Sequence, residues 1–103
     1  MRVKYHDVEI PREAIARLCR RHHIRKLCLF GSILLDHFGP ESDIDILVEF
    51  EPGQVPGLLR MAGLELELSR MLGRRVDLRT PAELSRRFRD EVIREAETQY
   101  EAA

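Results

Sequence analysis

The sequence predicts an α/β (α+β) fold in which a small mixed β-sheet of three or more strands packs against about four helices. Short apolar segments of strand character alternate with longer segments of helical periodicity, and turn residues separate them. The length of 103 residues suits one domain, residues 1–103, with a core that needs no disulfide or metal. The 44% apolar fraction is typical of a folded globular chain.

Three segments carry the apolar period of an amphipathic helix. They are residues 11–22, residues 55–72 and a final region that opens at Thr80-Pro81. Gly73 suits the position after a helix, and Thr80 with Glu83 suits a capping box. In the second helix the stripe expected to face the core is Leu58, Met61, Leu64, Leu68 and Met71 or Leu72. In the third region the apolar repeat is Leu84, Phe88, Val92 and Ala96.

Three shorter segments are expected to form strands. They are residues 26–30, residues 43–50 and residues 75–79. The middle segment alternates, so that one face carries Ile44, Ile46, Val48 and Phe50 and the other carries Asp43, Asp45, Leu47 and Glu49. Gly31-Ser32 ends the first strand in a tight turn, and a connector over residues 33–42 leads to the second.

Charge and cysteine content limit the classes of function. Seventeen basic and 18 acidic residues give a net charge of −1, which argues against a protein that binds nucleic acid mainly through electrostatics. Cys19 and Cys28 lie in apolar patterns without metal-ligand spacing, so both are expected to be free core residues, as is usual in the cytoplasm. No apolar run is long enough to span a membrane. We therefore expect a cytoplasmic protein.

Three aspartates converge at one end of the sheet if the third predicted strand lies beside the second. Asp43 and Asp45 point to the same face of one strand, and Asp77 is a lone acid in the next strand. Carboxylates are disfavoured in strands and repel one another, and a hard cation such as Mg²⁺ would relieve that repulsion. Three acids around Mg²⁺ suit phosphoryl or nucleotidyl transfer, in which a carboxylate can also accept the proton of the attacking hydroxyl.

The Gly31-Ser32 turn fits the same site. Glycine allows a phosphate to approach the backbone, and the following N–H groups and the Ser32 hydroxyl can donate to phosphate oxygens. Each feature alone has a structural alternative, because Asp-x-Asp pairs and Gly-Ser turns are common and Asp77 could simply pair with Arg75 or Arg79. Their joint occurrence at three strand ends favours a functional site.

The combination resembles the minimal nucleotidyltransferase domains of the DNA polymerase β-like superfamily. Their signature is Gly-Ser, ten residues, Asp-x-Asp, and a third acid on a later strand, which here are Gly31-Ser32, Asp43-Ile44-Asp45 and Asp77. The resemblance implies the nucleotidyltransferase fold. It also implies that Asp43 and Asp45 bind both Mg²⁺ ions, that Asp77 binds one and lies nearest the acceptor hydroxyl, and that Gly31 and Ser32 hold the triphosphate.

The resemblance further implies ATP as the donor and a HEPN-type protein as the partner. Family members of this size are often encoded with a helical HEPN-type toxin and act as its antitoxin, in some pairs by adding AMP to a tyrosine. One departure is the stretch Ile33-Leu34-Leu35-Asp36, where many relatives have a small residue, arginine and glycine. Because that basic group is absent, a non-catalytic antitoxin that neutralises its partner by contact is the alternative. Transfer to a small molecule is a third hypothesis.

Other polar residues are weaker candidates. His22-His23 resembles a metal-ligand pair, but neighbouring residues of a helix face different directions. Asp36 could be a fourth acid near the metal or a solvent-facing acid. The arginines Arg74, Arg75 and Arg79 could guide ATP or a partner, or lie on the solvated surface.

Overall fold

The structure is a computed structural model that describes residues 2–103, with six strands, three α-helices and two short 3₁₀ helices. The strands are β1 (Arg2–Tyr5), β2 (Val8–Pro11), β3 (Ile24–Phe30), β4 (Ile44–Phe50), β5 (Val76–Arg79) and β6 (Glu97–Glu101). The helices are α1 (Arg12–Arg21), α2 (Leu58–Leu72) and α3 (Arg89–Glu95), and the 3₁₀ helices are Gly31–Leu34 and Pro81–Glu83. None of these helices is long and apolar enough to cross a membrane. The predicted α/β class is confirmed, with three α-helices where about four were expected.

The central sheet has four strands in the order β5-β4-β3-β6. Strand β3 pairs antiparallel with β4 and β6, whereas β4 and β5 are parallel. A parallel pair needs a crossover connection, which α2 provides. Strands β1 and β2 form a separate antiparallel hairpin. The predicted mixed sheet is therefore present, and its parallel pair brings the first residues of β4 and β5 to the same end.

One hydrophobic core joins α1, α2 and the sheet. The helices contribute Ile15, Leu18, Cys19, Leu64, Leu68 and Leu72. The sheet contributes Leu27, Leu29, Ile44, Ile46, Val48, Val76 and Leu78. Cys19 and Cys28 are free and buried, and burial raises the pKa of the Cys19 thiol to about 12. The expectation that both cysteines are core residues is confirmed.

Helix α2 departs from the prediction at its start. It begins at Leu58 rather than at residue 55, and the Leu58 side chain is 92% exposed. The buried stripe of this helix begins only at Leu64. The prediction that Leu58 faces the core is wrong, because helical spacing identifies a face but not which turns of that face meet the sheet. Gly73 ends the helix in the left-handed conformation, with φ of 68°, as predicted.

The final helical region is shorter than expected. The capping box is confirmed, since the Glu83 carboxylate accepts the Thr80 backbone N–H at 2.8 Å, but the helix it begins is only a 3₁₀ turn. Helix α3 follows after a loop, has seven residues and buries none of them. Phe88 is 55% exposed, so the expected continuous apolar stripe does not face the core. The chain leaves the helix after Glu95 because the next residues pair with β3.

Strand β6 was not predicted because its partners come from distant parts of the chain. It is an edge strand in which only Gln99 is buried. The Gln99 amide accepts a hydrogen bond from Arg12 Nε at 3.0 Å and donates one to the Tyr5 hydroxyl at 3.1 Å. These contacts tie β6 to α1 and to the hairpin, neither of which a local alternating pattern can indicate.

Candidate active site

The three predicted aspartates lie at one end of the sheet. Asp45, in β4, is directly opposite Asp77, in the parallel strand β5. Neighbouring strands are about 4.8 Å apart, and residues in register point to the same face. Asp43 immediately precedes β4 and lies on the same face as Asp45, two residues away. The predicted juxtaposition of the three carboxylates is therefore what the strand register produces.

The electrostatics of Asp45 reflect this crowding. Burial raises the pKa of the Asp45 carboxyl, and the negative charges of Asp77 and, to a smaller extent, Asp43 raise it further. A hydrogen bond from the Ser32 backbone and the charge of Arg79 act in the opposite direction. The carboxylates are thus close enough to repel one another, and a cation placed among them would be attracted by all three.

Gly31 is required by its contact with Asp45. It follows β3 with φ of +75°, a conformation that residues with a Cβ rarely adopt. A Cβ at this position would lie 2.3 Å from Oδ2 of Asp45 and 3.1 Å from its Cγ. Glycine therefore lets the turn pass directly over the carboxylate, while the Ser32 backbone donates to it. The sequence suggested Gly31 for phosphate approach alone and did not indicate this second requirement.

Asp77 forms an ion pair with Arg79, one of the two arginines that the sequence offered as a structural partner. Its Oδ1 lies 3.3 Å from Arg79 Nε, and Arg79 Nη2 donates to Oδ2 at 3.3 Å. Both side chains are well exposed, so this pair adds little to stability. Within residues 2–103 no three His, Cys, Asp or Glu side chains are arranged to hold a metal ion by themselves. A metal ion that bound the Asp77 carboxylate would have to displace only the exposed Arg79 side chain.

The donor set fits Mg²⁺ that arrives with a triphosphate. Mg²⁺ prefers oxygen ligands and is usually held by one or two carboxylates together with substrate phosphates and water, not by a closed protein cage. Asp43 and Asp45 provide a same-face carboxylate pair whose mutual repulsion such a cation would relieve. Gly31 itself places no side chain against the Asp45 carboxylate. These residues are therefore suitable ligands.

Side chains of α2 hold β5, and sequence analysis missed them. Ser69 Oγ accepts the Val76 N–H at 3.0 Å, and Glu65 Oε2 accepts the Leu78 N–H at 2.8 Å. The two backbone N–H groups, those of Val76 and Leu78, flank Asp77 on the outer edge of the sheet. The available signal was a pair of polar residues four apart beside the apolar stripe of α2. Their contacts fix the backbone on both sides of Asp77.

Arg74 is a second residue whose role the sequence did not indicate. Its guanidinium donates to the carbonyl oxygens of Gly39 at 2.6 Å and Ser42 at 2.8 Å, and it lies 4.7 Å from the centroid of the Phe38 ring. The His6 ring stacks on Phe38, with centroids 5.0 Å apart. Arg74 is only 18% exposed, so it is not a solvated surface arginine. It holds the connector immediately before Asp43.

We expect Arg74→Ala to destabilise the fold by about 1–3 kcal/mol, because two part-buried carbonyl groups lose a charged donor. Arg74→Lys should restore only part of the loss, because Nη2 alone donates to both carbonyls, but lysine lacks the planar guanidinium that stacks on Phe38. Urea unfolding measures both effects. Arg75→Ala is the matched control, because Arg75 is exposed. Equal losses in the Arg74 and Arg75 variants would contradict the assignment.

The raised pKa of Asp45 predicts a pH dependence of stability. Because the folded protein binds a proton at Asp45 more tightly than the unfolded chain does, stability falls as the pH rises from the ordinary value of 3.8 through the raised one. Asp45→Asn carries no charge and should be more stable than the parent at neutral pH in chelator, but not at about pH 3. Thermal melts at the two pH values test this. A parent protein more stable than the variant in neutral chelator would refute it.

The remaining polar candidates do not join the site. His22 Nε2 lies 3.1 Å from Glu67 Oε1 on α2, an interaction between helices and not a metal ligation. His23 adopts a left-handed conformation with φ of 58° after α1. Asp36 is exposed in the connector and is not among the charges that act on Asp45. The structure therefore provides no role for these residues in the aspartate cluster.

Comparison with known proteins identifies the family. The nucleotidyltransferase domain family matches residues 11–100, which include the Gly-Ser turn and all three aspartates. This chain belongs to the nucleotidyltransferase domain family. The enzyme class expected from the sequence, nucleotidyltransferase, is thereby confirmed, as is the predicted resemblance.

Relatives of this nucleotidyltransferase domain agree with the assignment. A protein adenylyltransferase MntA from Thermococcus cleftensis is 38% identical over 78 residues, which is 76% of this chain and 77% of the relative. The solved structure of a provisionally named minimal nucleotidyltransferase is 42% identical, with a TM-score of 0.68 over 82% of this chain and 85% of that one. A complex of tri-AMPylated HEPN toxin with MNT antitoxin from Shewanella oneidensis has a TM-score of 0.64, covering 88% of this chain and 70% of that one. At its 22% identity, the last likeness shows the fold alone.

Proposed function

We propose that this nucleotidyltransferase domain transfers AMP from ATP, with Mg²⁺, to a tyrosine hydroxyl of a HEPN-type toxin and so acts as its antitoxin. The observation that carries the proposal is the convergence of Asp43, Asp45 and Asp77 beside the Gly31 turn. The naming of a 38% identical relative as a protein adenylyltransferase supports AMP as the transferred group. The similar fold of the MNT antitoxin in complex with an AMPylated toxin supports the choice of partner. In this proposal residues 1–103 act as one cytoplasmic domain.

The residues divide the chemical work. Asp43 and Asp45 would hold Mg²⁺, which would neutralise phosphate charge and orient the reacting groups. The turn at Gly31 and Ser32 contacts the triphosphate through backbone N–H groups and the Ser32 hydroxyl. The acceptor hydroxyl oxygen forms a bond to the α-phosphorus while the bond to the β-phosphate oxygen breaks, and pyrophosphate leaves. Asp77 accepts the hydroxyl proton in this proposal, and its position opposite Asp45 on the neighbouring strand supports that role.

Transfer of radiolabel from α-labelled ATP tests the proposal directly. The domain is incubated with Mg²⁺, the labelled ATP and the product of the neighbouring gene, and label should appear on that protein at tyrosine. A melting experiment precedes it, because Mg²⁺-ATP at 100 times its Kd should stabilise the fold by about 2.7 kcal/mol, a shift of several degrees. A thermal shift with no label on any protein would show that the domain binds ATP but would refute the transfer of AMP.

The connector supports a second candidate, a non-catalytic antitoxin. Leu34 and Leu35 follow the Gly-Ser turn where a basic residue could contact the triphosphate, and Leu35 is 51% exposed. In this case the domain neutralises its partner by contact alone. Asp45→Asn should then leave neutralisation intact in a growth assay, whereas a catalytic antitoxin should lose it. The labelled-ATP experiment and this assay together separate the two candidates.

A further inference from the structure

An open cleft adjoins the Gly31 turn on the side of α3. Its volume is about 390 Å³, within the range of natural ligand sites. The apolar lining is provided by Phe30, Leu34, Leu35, Phe88 and Val92. Gly31 also lines the cleft, and the same glycine lies against the Asp45 carboxylate. A group bound in the cleft is therefore adjacent to the aspartate cluster.

The walls of the cleft expose apolar surface that the fold does not cover. Leu35 is 51% exposed and Phe88 is 55% exposed. Helix α3, which contributes one wall, buries none of its residues, although Val92 and Ile93 are apolar. Exposed apolar side chains grouped around a concavity are typical of a binding surface. A partner that covered them would remove this area from water.

The rim of the cleft is acidic. Glu91 and Glu95 line it from α3 and lie four residues apart, so their like charges stand one above the other on the same helix face. Of the side chains in residues 2–103 that line the cleft, none is basic. The Arg87 guanidinium lies 5.9 Å from the Phe88 ring centroid but does not line the cleft. The charge therefore favours a cationic occupant over a triphosphate.

We propose that this cleft binds the segment of the acceptor protein that carries the reacting hydroxyl, and that this segment combines apolar with basic side chains. The inference rests on the proposed function and names its acceptor class. Apolar side chains of the segment cover Leu35 and Phe88, and its basic side chains pair with Glu91 and Glu95. Because Gly31 belongs to both sites, a segment seated here presents its hydroxyl to the aspartates.

Two synthetic peptides test the preference. Each carries fluorescein and one tyrosine between alternating leucines and charged residues, which are arginine in one peptide and glutamate in the other. We expect the basic peptide to bind at least about tenfold more tightly in fluorescence anisotropy, as two partly exposed ion pairs allow. Its advantage should shrink as salt is added, because the pairs are screened. Glu91→Gln combined with Glu95→Gln should remove most of the advantage, whereas Glu41→Gln, at an exposed connector position, should not.

The readouts separate this inference from the proposed function. Anisotropy reports peptide binding even if no AMP is transferred, so failure of transfer alone refutes only the function. Equal binding of the two peptides, or binding of neither, overturns the inference. If the double glutamine variant instead changes the affinity for Mg²⁺-ATP and not for the peptide, the cleft holds the nucleotide and the inference is wrong. If the cleft binds the acceptor segment, the double glutamine variant should bind Mg²⁺-ATP with the parent's affinity, within about twofold.

Discussion

Replacing Asp43 with asparagine is expected to lower AMP transfer by at least about 100- to 1000-fold, the effect of losing one preorganised group that stabilises charge in the transition state. Asp43 is exposed and immediately precedes β4, so asparagine should be accommodated without loss of the core. The change removes one of two same-face carboxylates proposed to hold Mg²⁺. Initial rates of label transfer, measured over a range of Mg²⁺ concentrations, give both the loss and any shift in the metal requirement.

Asp36→Asn is the matched control for this substitution. Asp36 is an exposed aspartate of the connector, and its charge is not among those that act on Asp45. The control should keep full activity, and both variants should melt close to the parent. Undiminished transfer in the Asp43 variant would remove this residue from the metal site. A large loss in the Asp36 variant would instead support the alternative that Asp36 is a fourth acid near the metal.

Gly31→Ala is expected to reduce transfer by at least about 100-fold while costing only about 1–2 kcal/mol of stability. The new Cβ would lie 2.3 Å from Asp45 Oδ2, so the carboxylate must rotate away. Because the obstructed atom is at the end of a side chain, rotation of that side chain relieves the clash without disturbing the core. The same rotation moves the carboxylate out of its position in the site. Rotation also removes the carboxylate from the hydrogen bond of the Ser32 backbone. The transfer rate should therefore fall steeply while the free energy of unfolding changes only slightly.

Gly53→Ala separates the two effects of the added methyl group. Gly53 has φ of +77°, close to that of Gly31, but a Cβ there would meet no atom within 4 Å. The control should show the same backbone strain, about 1 kcal/mol, with transfer unchanged. Urea unfolding and initial rates are measured on both variants. Equal activity in the two would show that the contact between Gly31 and Asp45 is unimportant.

Local patterns were sufficient to predict the core strands and the pairing of Asp43 with Asp45. Alternation in residues 43–50 placed these two acids on one face, whereas Asp77 lies opposite Asp45 only because β5 pairs in parallel with β4. The capping residues Gly73 and Thr80 also have the predicted roles. The alternation of a strand and the caps of a helix depend on residues that are near neighbours in sequence. Both can therefore be recognised from the order of the residues alone.

Residue period and spacing were enough to predict the α/β class, the same-face pair Asp43 and Asp45, and the Gly31-Ser32 turn. The folded structure was needed to show that Asp77 lies opposite Asp45 and that Gly31 lies against Asp45. It was also needed to show that Arg74 holds the connector and that α3 borders an acidic cleft instead of the core. Each of these contacts joins residues far apart along the chain. Such pairings depend on how the sheet and helices pack, and hydrophobic period specifies which faces are apolar without specifying what they meet.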